Sequence, residues 1–471
     1  MCQQNWKKLS VFAVLIFLAL NTVSAAVEDF PKGILIPKVS CQTDAEYSYA
    51  LYLPSSYSPS KQWPIIYVFD PAGRGQVSAE VFRTAAEEYG YIVAASNDSR
   101  NGPGVPLGAI IKSVWDDTHS RLSIDERRVY GAGMSGGARV AIRFGFAYEG
   151  LIAGVIVCSG GYPPDIKTST RPPFSLFGTA GTDDFNHPEL VALDGALERS
   201  GASHRVVYFP GGHEWPPPQI PLTALAWMEI QAMKAGRRPN DESLVDKLFQ
   251  RAVEEVRTSD MSGDDYSAYL FGKALVEDFS GLREVGEFQR RVEELKRSKE
   301  VREGLESGRR LAARQQKLFT ESETLVEGLN TPEQLVEIWS HLRALIKDLR
   351  GQSQQTTDSG DRRVARRVLN QLFVHSVETA TELQSRRDYA KAATRLEVVT
   401  EISPNQPNLL VVLARVYSAN GRKKKAIETL KRAAAGGFCD VSRIEGNTEF
   451  EPLRNDPDYQ TILAKMRKAN C

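Results

Sequence analysis

The sequence predicts an α/β domain built on a mostly parallel sheet, followed by an all-α region. Three observations carry this reading. Apolar strand-like runs alternate with helical stretches through the first half; the strand signals stop near Asp241; and a thirty-four-residue pattern recurs towards the end. At 471 residues the chain exceeds one ordinary core, and its composition shifts midway from Gly, Pro and aromatic-rich to Ala, Leu, Glu and Arg-rich. The expected division is residues 1–25, 26–238, 239–361 and 362–471.

The first segment has Lys7 and Lys8 ahead of an apolar run, Val11 to Leu20, and small residues at Val23, Ser24 and Ala25. This is the pattern of a secretory signal peptide cleaved after Ala25. The run is short of the roughly 20 residues that span a bilayer, so an uncleaved anchor is the lesser alternative. The mature chain is expected to be exported, periplasmic or secreted, with no later membrane span.

In the second segment the expected strands are 47–53, 64–69, 91–95, 127–131, 152–158, 174–178 and 205–209, and the expected helices are 79–89, 107–122, 136–148, 188–200 and 221–234. Such alternation places ligand sites at the carboxyl ends of the strands. Ser135 stands at one of these ends, in the run Tyr130-Gly131-Ala132-Gly133-Met134-Ser135-Gly136-Gly137. A strand that turns this sharply into a helix crowds the flanking side chains, so Gly133 and Gly137 are required and the serine hydroxyl is pushed out above the sheet.

A nucleophilic serine needs a base, and the base needs an orienting carboxylate. Asp183 and Asp184 follow the strand 174–178, and His213 follows the last strand in Gly211-Gly212-His213-Glu214-Trp215. The chain order Ser, Asp, His is that of α/β-hydrolases. The polar loop Asn97 to Asn101 either lines the cleft or is a plain polar loop after a strand, and Trp215 with Pro216 to Pro218 reads as a rigid loop.

The stretches SYALYLPSSY, PIIYVFDPAG, SIDERRVYGAGMSGGARVA and GGHEW resemble the exported α/β-hydrolase esterases related to polyhydroxybutyrate depolymerases and feruloyl esterases, over roughly residues 40–235. The resemblance implies Ser135 as nucleophile, His213 as general base and Asp184 as its partner, with Asp183 the competing carboxylate. Asp184 is preferred because it aligns with the second aspartate of the GTxDFN form of this loop. Where many such esterases carry His-Gly, this chain has Asp70-Pro71-Ala72-Gly73-Arg74. That loop and the Gly136 amide should supply the oxyanion donors. Proline has no amide hydrogen, so Ala72 or Gly73 is the expected second donor. Arg74 either binds an acidic substrate group or pairs with Asp70.

Beyond Asp241 long charged helices are expected, including 286–318 and 331–349, then a flexible link over 352–361. Ala380, Leu383, Ala392 and Leu396 recur thirty-four positions later as Ala414, Tyr417, Ala426 and Leu430, with Pro404 between the units. This period resembles tetratricopeptide repeats, in which small residues let paired helices approach. Residues 447–466 read as a partial third unit that caps the stack. Such a stack implies a groove for a protein partner; docking onto the enzyme domain is the alternative.

With 59 basic and 59 acidic residues the net charge is zero, which gives no field favouring nucleic acid or an anionic membrane. Cys41, Cys158, Cys439 and Cys471 remain after the leader; Cys439 with Cys471 is a plausible pair, and Cys158 a buried thiol. Six histidines without paired spacing predict no metal site, and no cofactor is expected. The expected function is an exported serine esterase acting on an ester-containing substrate, with catalysis in the first domain and recognition in the second. The alternatives are a degenerate hydrolase scaffold that binds proteins through its repeats, and a serine peptidase of related fold.

Overall fold

The computed structural model describes residues 30–330 and 334–468. The proposed leader and Cys471 lie outside the described residues. In the first part the chain runs β1 (Leu35–Ser40), β2 (Ser48–Tyr52), β3 (Trp63–Phe69), α1 (Gly75–Tyr89), β4 (Ile92–Ser96), α2 (Leu107–Arg121), β5 (Ile124–Met134) and α3 (Gly136–Ala147). It continues through β6 (Ile152–Cys158), β7 (Ser175–Gly181), α4 (His187–Ser200), β8 (His204–Phe209) and α5 (Gln219–Lys234). The eight strands form one sheet in the order β1-β2-β4-β3-β5-β6-β7-β8, parallel from β4 to β8 and antiparallel where β2 meets β1 and β4. The expected α/β class is the observed one.

The interior strands are buried on both faces, as parallel strands covered by helices must be. Along β3 the period of two separates the faces. Ile65, Tyr67 and Phe69 join a core with Val114 of α2, Phe144 of α3 and Leu193 of α4. Ile66 and Val68 join Phe82 of α1 and Trp227 of α5 on the opposite side. The carboxyl ends of β3, β5, β6, β7 and β8 therefore lie along one edge of the sheet, with Phe69 in register with Gly133 and Gly181 with Phe209. β1, which sequence reasoning missed, is an edge strand in which Pro37 and Lys38 interrupt the apolar residues and exposure does not alternate.

The helical part begins where Asp241 caps α6 (Glu242–Ser262) by accepting from the Leu244 amide at 3.1 Å. It continues with α7 (Asp265–Phe279), α8 (Gly286–Leu295), α9 (Lys299–Gly328), α10 (Leu335–Ser353) and α11 (Gly360–Ser385). The single helix expected over 286–318 is broken into α8 and α9. Ser298 supplies the break, its hydroxyl accepting from the Val301 amide at 3.2 Å to start a new helix. The link expected over 352–361 shrinks to residues 354–359, because α10 runs on to Ser353 and Ser359 caps α11.

The last part is α12 (Tyr389–Ile402), α13 (Pro407–Ala419), α14 (Lys423–Ala435), α15 (Val441–Glu445), a 3-10 turn (Thr448–Leu453) and α16 (Pro457–Lys468). The repeat positions Ala380, Ala392, Leu396, Ala414, Tyr417, Ala426 and Leu430 are all buried in one cluster. Phe450, Tyr459 and Met466 close its end, as the partial third unit predicted. Cys439 is disulfide-bonded, and Cys41 and Cys158 are buried free thiols. Among the described residues no helix is long and apolar enough to cross a membrane, and no cluster of His, Cys, Asp and Glu could hold a metal.

Candidate active site

Ser135 joins β5 to α3 with φ +54° and ψ −119°, a backbone conformation that costs a non-glycine residue energy. The two glycines beside it make the turn possible. A Cβ on Gly133 would fall on the Gly137 carbonyl, and one on Gly137 on the Phe69 carbonyl of β3. The Ser135 amide donates to the Cys158 carbonyl at 2.8 Å, which fixes the elbow to β6.

His213 and Asp184 come from the loops after β8 and β7. His213 Nδ1 donates to Asp184 Oδ1 at 2.9 Å, and Asp184 is fully buried. The Asn186 amide donates to the same oxygen at 2.8 Å. The imidazole stacks on Phe185, ring centres 4.1 Å apart. A ring held by one nitrogen and one face presents its other nitrogen in a fixed direction. Asp183 points elsewhere, to Arg366 Nη1 of α11 at 2.8 Å. Ser135 and His213 open onto a single cavity of about 440 Å³.

The Asp70 loop differs from the expectation. The Ala72 amide donates to Asp70 Oδ1 at 2.8 Å and the Gly73 amide to the Asp70 carbonyl at 3.1 Å, so both expected oxyanion donors are already engaged within the loop. The cause is Asp70 itself, 1 % exposed, which gathers every nearby donor. Arg74 bonds it through two nitrogens at 2.9 Å each, and Trp215 Nε1 donates to its second oxygen at 2.9 Å. Burial pushes the Asp70 carboxyl up, but Arg74, Trp215 and the Ala72 amide together hold it below its usual value. Arg74 is thus a loop residue, and Trp215 ties the His213 loop to the Asp70 loop. The Gly136 amide, at the first turn of α3, donates to no described group and borders the cavity.

The opposite wall of the cavity comes from the helical part: Phe319 of α9 and Gln371, Val374, His375 and Glu378 of α11. Sequence reasoning names none of these wall residues as site residues; it reads α9 as part of a charged helical region and leaves docking of the repeats onto the enzyme domain as an alternative. The packing of α9 and α11 ties them to the Asp184 loop. Arg367, 4 % exposed, donates through Nε to the Thr182 carbonyl at 2.8 Å and through Nη2 to the same oxygen. Gln315 Nε2 of α9 donates to the Phe185 carbonyl at 2.7 Å. Burial holds the Arg367 guanidinium down to about 10. His375 pairs with Glu323 of α9 at 3.3 Å, which raises the imidazole above its usual value, and Glu323 also meets Arg395 of α12 at 2.7 Å. The wall of the cavity is therefore continuous with the repeat stack.

A tetratricopeptide-repeat family model matches residues 383–437, from the end of α11 to just past α14. No curated protein matches the sequence. Among solved structures the chain is similar to a ferulic acid esterase, at 16 % identity and TM-score 0.33, over 41 % of this chain and 94 % of that one. It is likewise similar to an S-formylglutathione hydrolase of Staphylococcus aureus, at 15 % identity and TM-score 0.34, over 41 % and 95 % of the two chains.

Proposed function

We propose that this protein is an exported serine hydrolase that cleaves esters through Ser135, His213 and Asp184. The observation that carries the reading is the strained elbow at Ser135 facing the cavity that His213 also borders, with the His213 ring held on a fully buried Asp184. A strained serine between two obligatory glycines is costly to a fold and is expected where a hydroxyl must be displayed.

In the proposed reaction His213 takes the proton of the Ser135 hydroxyl as the oxygen attacks the ester carbonyl. The carbonyl oxygen becomes an oxyanion beside the Gly136 amide. His213 returns the proton to the departing alcohol, leaving an acyl group on Ser135. Water, deprotonated by the same imidazole, then releases the acid and restores the serine. Asp184 holds the Nδ1–H tautomer and stabilises the cation that forms on the ring. The helices α9 and α11 shape the substrate end of the cavity, so esters that fill it must fit between both parts of the chain. The repeats of α11 to α14 offer a protein partner a surface joined to that wall.

The inward-turned Ala72 and Gly73 amides favour the rival reading, a hydrolase-like scaffold without activity. Turnover of p-nitrophenyl acetate by the purified full-length protein decides between them. The proposal expects hydrolysis that falls by about 10³-fold or more in Ser135→Ala and in His213→Ala. Equal hydrolysis by Ser135→Ala and the wild type would refute it.

A further inference from the structure

Stabilising an oxyanion takes donors aimed at one point, and the Asp70 loop withholds its share. Pro71 has no N–H, and the Ala72 and Gly73 amides donate to Asp70. The Gly136 amide remains, bordering the cavity. Next to it stands a side chain free to supply what is missing.

Asn101 lies midway along the loop between β4 and α2. Its amide donates to the Pro71 carbonyl at 2.8 Å, and Arg100 bridges to Ala72, so the two loops run together and the Asn101 backbone is fixed beside the Asp70 loop. Its carboxamide lies directly over Gly136. A Cβ on Gly136 would stand 2.8 Å from Asn101 Nδ2 and 2.7 Å from its Cγ, and would overlap Oδ1. Asn101 is exposed at the cavity mouth, and a Cβ at position 136 would displace its carboxamide from this place. The Asn101 carboxamide makes no hydrogen bond to any described residue, and it borders the same cavity as Ser135 and His213.

Resting on the proposed hydrolase reading, we propose that Asn101 is a catalytic residue whose side-chain N–H, together with the Gly136 amide, binds the oxyanion in place of the missing loop amide. A carboxamide suits the task because it is neutral, carries two donors and can turn about its last torsion to present nitrogen to an anion. A donor aimed at charge that exists only in the transition state accelerates the chemical step and adds little to ground-state binding.

The test uses the full-length protein, an activated ester and a trifluoromethyl ketone that forms a charged tetrahedral adduct on the serine. Asn101→Ala should lower kcat by about 10²- to 10³-fold, the usual loss for one oxyanion donor, with KM nearly unchanged. The ketone should bind more weakly by a similar factor. Asn101→Asp, equal in size but negatively charged, should lose at least as much, and thermal melting of both variants checks that they fold. A purely structural Asn101 would leave ketone binding and kcat unlinked. Ser135-dependent turnover that survives Asn101→Ala within about threefold overturns this inference and leaves the hydrolase reading standing. Absence of Ser135-dependent turnover in the wild type overturns both.

Discussion

Replacing Arg367 with methionine removes the fork that holds the Thr182 carbonyl while filling the same buried space. Two opposing terms set the cost in stability. Hydrogen bonds from a charged donor contribute about 1.5 to 3 kcal/mol each, and this guanidinium makes two to one oxygen. Against that, burial that lowers the guanidinium from its usual value to about 10 penalises the charged form by about 3 kcal/mol. The bonds exceed the penalty by about 0 to 3 kcal/mol, so Arg367→Met should lose no more than about 3 kcal/mol of unfolding free energy. Catalysis has no such compensation. Thr182 lies two residues before Asp184, and a displacement of about 1 Å at a reacting group can cost about 100-fold. We expect kcat on a small activated ester to fall 10- to 100-fold with KM little changed, measured beside denaturant unfolding of the same preparations. Arg367→Lys keeps the charge but loses the planar fork, and should resemble methionine rather than arginine. The exposed pair of Arg386 and Glu382, at the end of α11, gives the control, since Arg386→Met removes an ion pair that makes no bond to the Asp184 loop. Full kcat in Arg367→Met would show that the helices do not position the carboxylate.

The neighbouring aspartates should separate cleanly. Asp184→Asn loses the group that selects the His213 tautomer and should lower kcat by about 10⁴-fold, whereas Asp183→Asn weakens only the bond to Arg366 and should cost tenfold or less. A larger loss in Asp183→Asn would reverse the assignment. His187 gives a pH dependence: burial first, then Arg367, hold its imidazole down to about 3, while the unfolded chain takes the proton near 6.5. Its contribution is therefore full above 6.5 and is lost as pH falls from there towards 3, by up to about 1.4 kcal/mol per pH unit. His187→Phe keeps the stacking on Tyr208 and should show a shallower loss of unfolding free energy between pH 7.5 and 4.5; parallel curves would refute this. A chain ending at Gly236 should aggregate or be inactive. Ile230 and Met233 of α5 are covered by Val245, Val253 and Phe279, and Trp227 Nε1 donates to Asp278 at 2.6 Å. A soluble truncated chain with full small-ester turnover would contradict the shared site.

The α/β part was legible because its signals are local. Strands such as Ile152–Cys158 are continuous apolar runs between turn residues, and the glycines around Ser135 mark a turn whatever surrounds it. The repeat was legible for the same reason, a fixed period of small and large residues. The cavity wall was not. Arg367, Gln371, Val374 and Glu378 recur at helical spacing on α11, but a stripe of polar residues on a charged helix reads as a solvated face. Only the packing of α9 and α11 on the Asp184 loop reveals that Arg367 is buried. The Asp70 loop failed differently. Sequence identified Pro71 as unable to donate, yet the Ala72 and Gly73 amides turn back onto Asp70, a buried carboxylate that Trp215, 145 residues away, also holds. β1 was missed because its apolar residues are split by Pro37 and Lys38.

The central claim is that Ser135 is a nucleophile activated by His213. A fluorophosphonate probe tests it without knowledge of the substrate, since the probe forms a stable bond only with an activated serine. Intact-mass spectrometry of the labelled full-length protein, followed by peptide mapping, should find one adduct per chain, on Ser135, and none in Ser135→Ala or His213→Ala. An unlabelled wild type, or an adduct on another serine, would contradict the account.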